Sequence, residues 1–251
     1  MKKKLLFITC LLFSITISSQ SFYGKVFYEA SLLMEIPKLK FDNLNIPAKE
    51  KLKYKQLFNK MTENKNPIQC VLKFNKNTSI FYQIKQLGIN GGENIFLTSS
   101  IGPGNFYHDK KNNISIHQRE SSGETLLISY PKTEWKITNE TKKINGYLCG
   151  KAITTVVENS RARQTSTIIA WFAFDLPYNY GPKQFAGLPG LVLELEYAKK
   201  YKMRATKIEL NSKEKLKIDM PKKGIKISLK KYEEMIAKSF KQRMKIYKNR
   251  N

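Results

Sequence analysis

The sequence predicts a mainly β fold of the α+β class: a strongly curved antiparallel sheet, half-barrel or barrel-like, with an inserted helix and a C-terminal helix. Three observations indicate this fold. Runs rich in β-branched and aromatic residues recur along the chain, turn-forming residues separate them, and only two segments show helical periodicity. A parallel sheet is disfavoured because no helix lies between most of these runs.

The first element is a predicted signal peptide. Lys2 to Lys4 are basic, Leu5 to Ile17 is largely apolar, and small or polar residues follow as far as Gln20. This order is typical of secretory signals. We therefore expect a signal peptide at 1–20, a single β-rich domain at 21–251, and export to the periplasm or the extracellular space. Association with the outer membrane stays open.

The next elements alternate between strands and turns. The first strand is predicted at 25–36, and a highly charged surface helix at 48–61 is inserted before the second strand. The segment 88–104 is rich in Gly, Asn and Ser and is predicted to be a loop. The remaining strands are expected at 68–74, 79–85, 106–109, 114–119, 125–130, 134–138, 144–157, 165–174, 191–197 and 201–210.

The last element is a basic helical segment at 226–251. Its apolar residues recur at helical spacing, which predicts that one side of the helix packs against the sheet. These residues are Leu229, Tyr232, Ile236, Phe240 and Met244. The chain has a formal net charge of +25, and its basic C-terminal part could bind an anionic membrane surface. Export argues against a nucleic-acid partner.

Two cysteines follow the predicted signal peptide, Cys70 and Cys149. Each lies in a predicted strand, so a disulfide could form in an oxidising compartment. The alternative is two separate buried thiols that act as small hydrophobic side chains.

Two motifs carry a family resemblance. Residues 144–152 read INGYLCGKA, and residues 171–194 contain WF, DLP, GP and finally GLPGLVLE. In these motifs the chain resembles the GLPGLI family of exported proteins from Gram-negative bacteria, with Val192 where the family name has Ile. The resemblance implies an exported β-rich domain, similar to curved half-barrels around an apolar groove, and no particular chemistry.

The GLPGL peptide itself is interpreted as a structural corner. Gly187 and Gly190 can adopt positive φ or let another backbone approach closely, whereas Pro189 holds Leu188 in extended geometry. A rigid corner that begins the strand at Leu191 follows from this pattern.

Signatures of catalysis are scarce. The chain has two histidines and none of the common nucleophile, phosphate-loop or zinc motifs, so we assign no catalytic residue, cofactor or metal ligand. Glu194 and Glu196 form the best carboxylate pair, interpreted as the polar face of a strand. With Asp175 they are the carboxylates of an alternative function, an envelope hydrolase.

Aromatic residues give the leading functional hypothesis. The candidate ligand-binding side chains are Trp171, Phe174, Tyr178, Tyr180 and Phe185. We expect an exported, non-enzymatic binding or accessory protein, carrier-like for an apolar or peptide ligand, with that ligand or an outer-membrane protein as partner. The alternatives are the carboxylate hydrolase and a basic module on an anionic membrane surface.

Overall fold

The computed structural model describes residues 23–36, 46–85, 94–158, 164–211 and 216–249. The predicted signal peptide at 1–20 lies outside the described residues. The strands are β1 (Gly24–Leu32), β2 (Ile68–Phe74), β3 (Thr78–Gln83), β4 (Asn105–Asp109), β5 (Ile114–Ser121), β6 (Glu124–Tyr130), β7 (Lys136–Ile144), β8 (Tyr147–Glu158), β9 (Gln164–Ala173), β10 (Leu191–Tyr197), β11 (Tyr201–Leu210) and β12 (Ile225–Ser228).

These strands form one sheet in the order β12-β6-β5-β4-β3-β2-β1-β11-β10-β9-β8-β7. Neighbouring strands are antiparallel, except that β12 pairs with β6 in parallel. The predicted fold class, a curved and mainly antiparallel sheet, is therefore confirmed.

The sheet does not close into a barrel. Its two end regions, β12–β6 and β8–β7, are far apart in strand order, yet residues of both regions line one cleft. The sheet must therefore curl until its ends face each other, which agrees with the strong twist of long antiparallel sheets. We call the gap between the ends the seam.

The side chains on one face of the sheet pack together and form the hydrophobic core. Along β1, Val26, Tyr28 and Ala30 are buried and their neighbours are partly exposed, which is the period-2 pattern of a strand with one face in the core. The hydroxyl of Tyr28 donates a hydrogen bond to the carbonyl of Val192 over 2.6 Å. This bond ties the first strand to the strand that follows the GLPGL corner.

The β7–β8 hairpin differs from the prediction of one strand at 144–157. Asn145 and Gly146 have φ angles of +49° and +85° and form the turn between β7 and β8. Asn-Gly favours two-residue hairpin turns because both residues tolerate left-handed φ. The predicted strand therefore divides into the end of β7 and the whole of β8.

Three helices occur in the described residues. Helix α1 (Ala48–Glu63) has no buried residue, as expected for a surface helix. Helix α2 (Ile95–Ile101) lies within the predicted loop at 88–104, which corrects that prediction. The side chain of Asn94 accepts a hydrogen bond from the Leu97 amide and caps α2, whose Leu97 and Ile101 are buried.

Helix α3 (Leu229–Asn249) lies beside β12 and β6 at one end of the sheet. Its apolar side is covered in part: Leu229 and Tyr232 are half-buried, whereas Ile236 is 46% exposed, which corrects the packing expected of Ile236. Tyr232 does make a contact, with the Arg119 guanidinium 5.4 Å from its ring centroid. The side chain of Phe240 lies outside the described residues.

Cys70 and Cys149 are both buried and both free. Four strands lie between β2 and β8 in the sheet order, so the two residues are not neighbours and the disulfide does not form. Burial raises the pKa of Cys70 to about 12 and that of Cys149 to about 11, which keeps both thiols protonated at neutral pH.

Across the ranges that the structure describes, no helix combines the length and the apolar composition needed to cross a bilayer.

Candidate functional site

An open cleft of about 1430 Å³ occupies the seam, and we call it the seam cleft. One wall comes from the end of β6, from β12 and from the start of α3. The other wall comes from β8 and the start of β7. The segment 131–135, which crosses from β6 to β7, residues 183–185 of the loop before β10, and Tyr197 at the end of β10 complete its lining.

A row of aromatic rings leads from the cleft into the core. The Trp135 and Phe185 ring centroids are 6.0 Å apart, and Phe185 lies 6.2 Å from Tyr197, which stacks on Tyr201 at 5.1 Å. The indole nitrogen of Trp135 donates to the Ala186 carbonyl over 3.0 Å. These contacts fix the rings before any ligand arrives.

Lys183 lies against this row. Its ammonium donates to the Tyr201 hydroxyl over 2.9 Å and lies 4.7 Å from the Tyr197 ring centroid, a cation–π distance. The backbone φ of Lys183 is +59°, a conformation that few non-glycine residues adopt. The Tyr201 hydroxyl and the Tyr197 ring therefore orient the ammonium of a residue that lines the cleft.

Both signs of charge line the seam cleft. The cations are Lys132, Lys136, Lys183 and Lys230, and the carboxylates are Glu134 and Glu233. Burial raises the pKa of Glu233 above its usual range, because the desolvated carboxylate is less stable than the neutral acid. Glu233 is thus the cleft residue best suited to carry a proton.

The GLPGL corner follows the cleft residues 183–185 in the chain and is held by hydrogen bonds to Asn179. The Gly187 amide donates to the Asn179 carbonyl over 3.0 Å, and the Asn179 side-chain amide donates to the Leu188 carbonyl over 2.7 Å. Gly187 has a φ of +95°. A Cβ added at Gly190 would fall on the carbonyl oxygen of Ala173, so only glycine fits there.

The structure disperses most of the predicted ligand-binding aromatics. Of the five predicted aromatic residues, only Phe185 lines the seam cleft. Trp171 lies 4.2 Å from the Lys142 ammonium, Phe174 is 48% exposed, and Tyr178 packs on Phe74 with a centroid distance of 4.9 Å. Tyr180 is fully buried in the core.

The predicted carboxylates also lie elsewhere. Glu194 is only 7% exposed and is paired with Lys142 at 2.6 Å and with Arg204 at 3.8 Å, so it is not part of a solvated polar face. Glu196 is half-buried opposite Lys202, and Asp175 is exposed. None of the three carboxylates lines the seam cleft.

His117 is a structural residue of β5. It is 2% exposed, stacks on Phe106 at 3.8 Å, and its Nε2–H donates to the Pro103 carbonyl over 2.9 Å. Burial lowers the pKa of His117 to about 3, so the ring stays neutral. In the described part of the chain, no group of three or more His, Cys, Asp or Glu could hold a metal ion.

Sequence reasoning missed Trp135, Lys183 and Tyr197 as cleft residues. Trp135 follows the turn-like stretch Pro131 to Glu134, and a tryptophan beside a polar connection was a usable signal. The convergence of the three could not be predicted, because it depends on how far the sheet curls.

Comparison with known proteins gives a family. Residues 52–232 match the family described as "N-glycanase peptide, N-terminal domain". Two structures of PNGF-II, in space groups C2 and P21, share the fold with TM-scores of 0.51 and 0.52 at 19% and 20% identity. Each covers 87% of this chain, which spans only 33% and 34% of the PNGF-II chains. No curated protein matches the sequence.

The family match contradicts the leading functional hypothesis. A carrier-like, non-enzymatic binding or accessory protein does not agree with a chain matched over residues 52–232 to a domain described by an enzyme name. The hydrolase alternative agrees better with the match, although its three proposed carboxylates lie outside the seam cleft.

Proposed function

The chain belongs to the family of N-glycanase peptide N-terminal domains, and on that premise we propose that it takes part in the hydrolysis of N-linked glycans. The seam cleft binds the glycan-bearing segment of the substrate. The observation that carries this proposal is the family match at 52–232, which contains every residue lining the seam cleft except Glu233.

The chemistry of the cleft supports a saccharide ligand. A sugar ring presents apolar C–H faces and polar hydroxyl edges, so it binds best between aromatic rings and hydrogen-bonding groups. The seam cleft provides Trp135 and Tyr197 together with the hydroxyls of Thr154 and Thr155. Its volume of about 1430 Å³ exceeds the 300–1,000 Å³ range typical of small-molecule pockets, which suits an oligosaccharide.

Binding to a glycosylated protein tests this function. The chain is titrated with an N-glycosylated protein and with the same protein after its glycans have been removed. We expect binding of the glycosylated form and at least about tenfold weaker binding of the stripped form, since the sugar supplies the contacts. Equal binding of both forms would contradict the proposal.

A second candidate function is hydrolysis within this cleft, and the raised pKa of Glu233 favours it. A carboxylic acid with a raised pKa is a better proton donor to a leaving group than an ordinary carboxylate is, and a second carboxylate such as Glu134 can activate water. In this candidate, Glu233 and Glu134 take the roles that the sequence analysis gave to Asp175, Glu194 and Glu196.

Release of free glycan, followed by mass spectrometry, tests the second candidate. We expect Glu233→Gln to lower the release rate by about 100-fold or more, in the range of general acid catalysis. Glu234→Gln is the matched control, because Glu234 is exposed and does not line the cleft. If the parent chain alone releases no glycan, hydrolysis in this cleft is wrong and the binding role is unaffected.

We also propose that residues 1–20 direct export and that the chain is a member of the GLPGLI group of exported proteins. An exported location agrees with the substrate, because N-glycosylated proteins are found mainly outside cells. Detection of the chain with an intact Met1 outside the cytoplasm would contradict cleavage.

A further inference from the structure

We propose that the seam cleft selects glycans that carry acidic groups, with Lys183 as the residue that recognises the anion. This inference rests on the proposed function and names the substrate class of the same site. It follows from three observations: the charge of the lining, the fixed position of Lys183, and the places of the other lysines.

The lining has an excess of positive charge. Four lysines and two glutamates face the cleft, and the whole chain has a formal net charge of +25. A concave site with one dominant sign concentrates the field and raises the local concentration of ligands with the opposite sign. A neutral oligosaccharide gains nothing from this field, whereas one that bears carboxylates or sulfates does.

Lys183 differs from the other three lysines because it is pre-organised. The Tyr201 hydroxyl and the face of Tyr197 orient its ammonium, and its own left-handed backbone sets the direction of the side chain. A fixed ammonium has already lost most of its rotamer freedom, so an anion that pairs with it incurs a smaller entropic penalty.

The remaining lysines surround the opening. Lys132 lies on the connection to β7, Lys136 is the first residue of β7, Lys230 lies at the start of α3, and all three are exposed. Flexible exposed lysines act mainly through long-range attraction, which increases the association rate and is screened by salt. We therefore assign the long-range attraction of acidic glycans to Lys132, Lys136 and Lys230, and the recognition of the acidic group to Lys183.

The test compares one complex N-glycan with terminal sialic acids and the same glycan after sialidase treatment, by isothermal titration. We expect the acidic form to bind about tenfold more tightly at about 20 mM salt, and the preference to shrink at about 500 mM salt. Lys183→Met should remove most of the preference. The exposed Lys53→Met on α1 is the matched control and should keep it.

A second variant covers the case in which Lys183→Met fails to fold. The pair Lys132→Met and Lys136→Met replaces exposed side chains only, and we expect it to reduce the salt dependence and the acidic preference together. Equal binding of both glycan forms would overturn this inference and leave the proposed function intact. Binding of neither form would contradict both, and a preference that survives both cleft variants would place the acidic site elsewhere.

Discussion

At the scale of single residues, glycine geometry shapes the GLPGL corner. Gly190 has no room for a Cβ beside the Ala173 carbonyl, whereas Gly187 has open space around it and needs glycine only for its positive φ. The two glycines of GLPGL therefore act through different physical constraints, and their substitution separates the two effects.

We expect Gly190→Ala to lower the free energy of unfolding by about 2–4 kcal/mol, since the new methyl group displaces the end of β9. Gly187→Ala is the matched comparison and should lower it by about 1 kcal/mol, the usual penalty for positive φ. Urea unfolding of both variants measures the difference. A Gly190→Ala protein as stable as the parent would show that the corner is not structural.

His117 gives a prediction for pH. Its pKa is about 3 in the folded chain and 6.5 in the reference state, so between these values the unfolded chain binds more protons. The stability that neutral His117 contributes is therefore fully present well above pH 6.5 and is lost as the pH falls toward 3. Between pH 6.5 and 5, His117 alone lowers the free energy of unfolding by about 1.6 kcal/mol.

Over that pH window we expect the free energy of unfolding of His117→Gln, whose amide can still donate to Pro103, to fall by about 1.6 kcal/mol less than that of the parent. Unfolding free energies at pH 6.5 and 5 measure this, and His108, whose pKa burial also lowers, contributes the same background to both proteins. Parallel pH profiles of parent and variant would contradict the burial of His117.

At the scale of elements, the sequence predicted the strands well and their junctions less well. Alternating runs such as β10 and β11 had clear patterns, and the surface helix α1 followed from its charge. The β7–β8 turn was missed because the apolar residues on both sides of Asn145-Gly146 were combined into one run. Helix α2 was missed because its stability depends on the Asn94 cap and tertiary burial.

Helix α3 supplies the prediction at this scale. Because Ile236 is 46% exposed, Ile236→Ser should change the melting temperature by less than about 2 °C. Tyr232→Ser should decrease it by a further few degrees, since it removes the contact with Arg119. Scanning calorimetry of the two variants decides. A large decrease of the melting temperature in Ile236→Ser would mean that this side of the helix is covered.

At the scale of the whole molecule, the candidate site exists because the curved sheet does not close into a barrel and leaves a cleft between its two ends. The curved sheet was predictable from strand count and turn chemistry, but the seam was not, because small differences in twist accumulate over twelve strands. The seam brings Trp135 together with Lys183 and Tyr197, which belong to a later part of the chain. The aromatic cluster near GLPGL was visible in the sequence, yet most of it fills the core or the opposite face of the sheet.

The chain has two tryptophans, and they make the most direct test of the central claim, that the seam cleft binds N-glycans. Trp135 lines the cleft, whereas Trp171 lies beside Lys142 outside it. Tryptophan fluorescence is followed while an N-glycan released from a glycoprotein is added to Trp171→Phe and, separately, to Trp135→Phe. We predict a saturable change in the first variant and none in the second. A change only in Trp135→Phe, or in neither variant, would contradict the account.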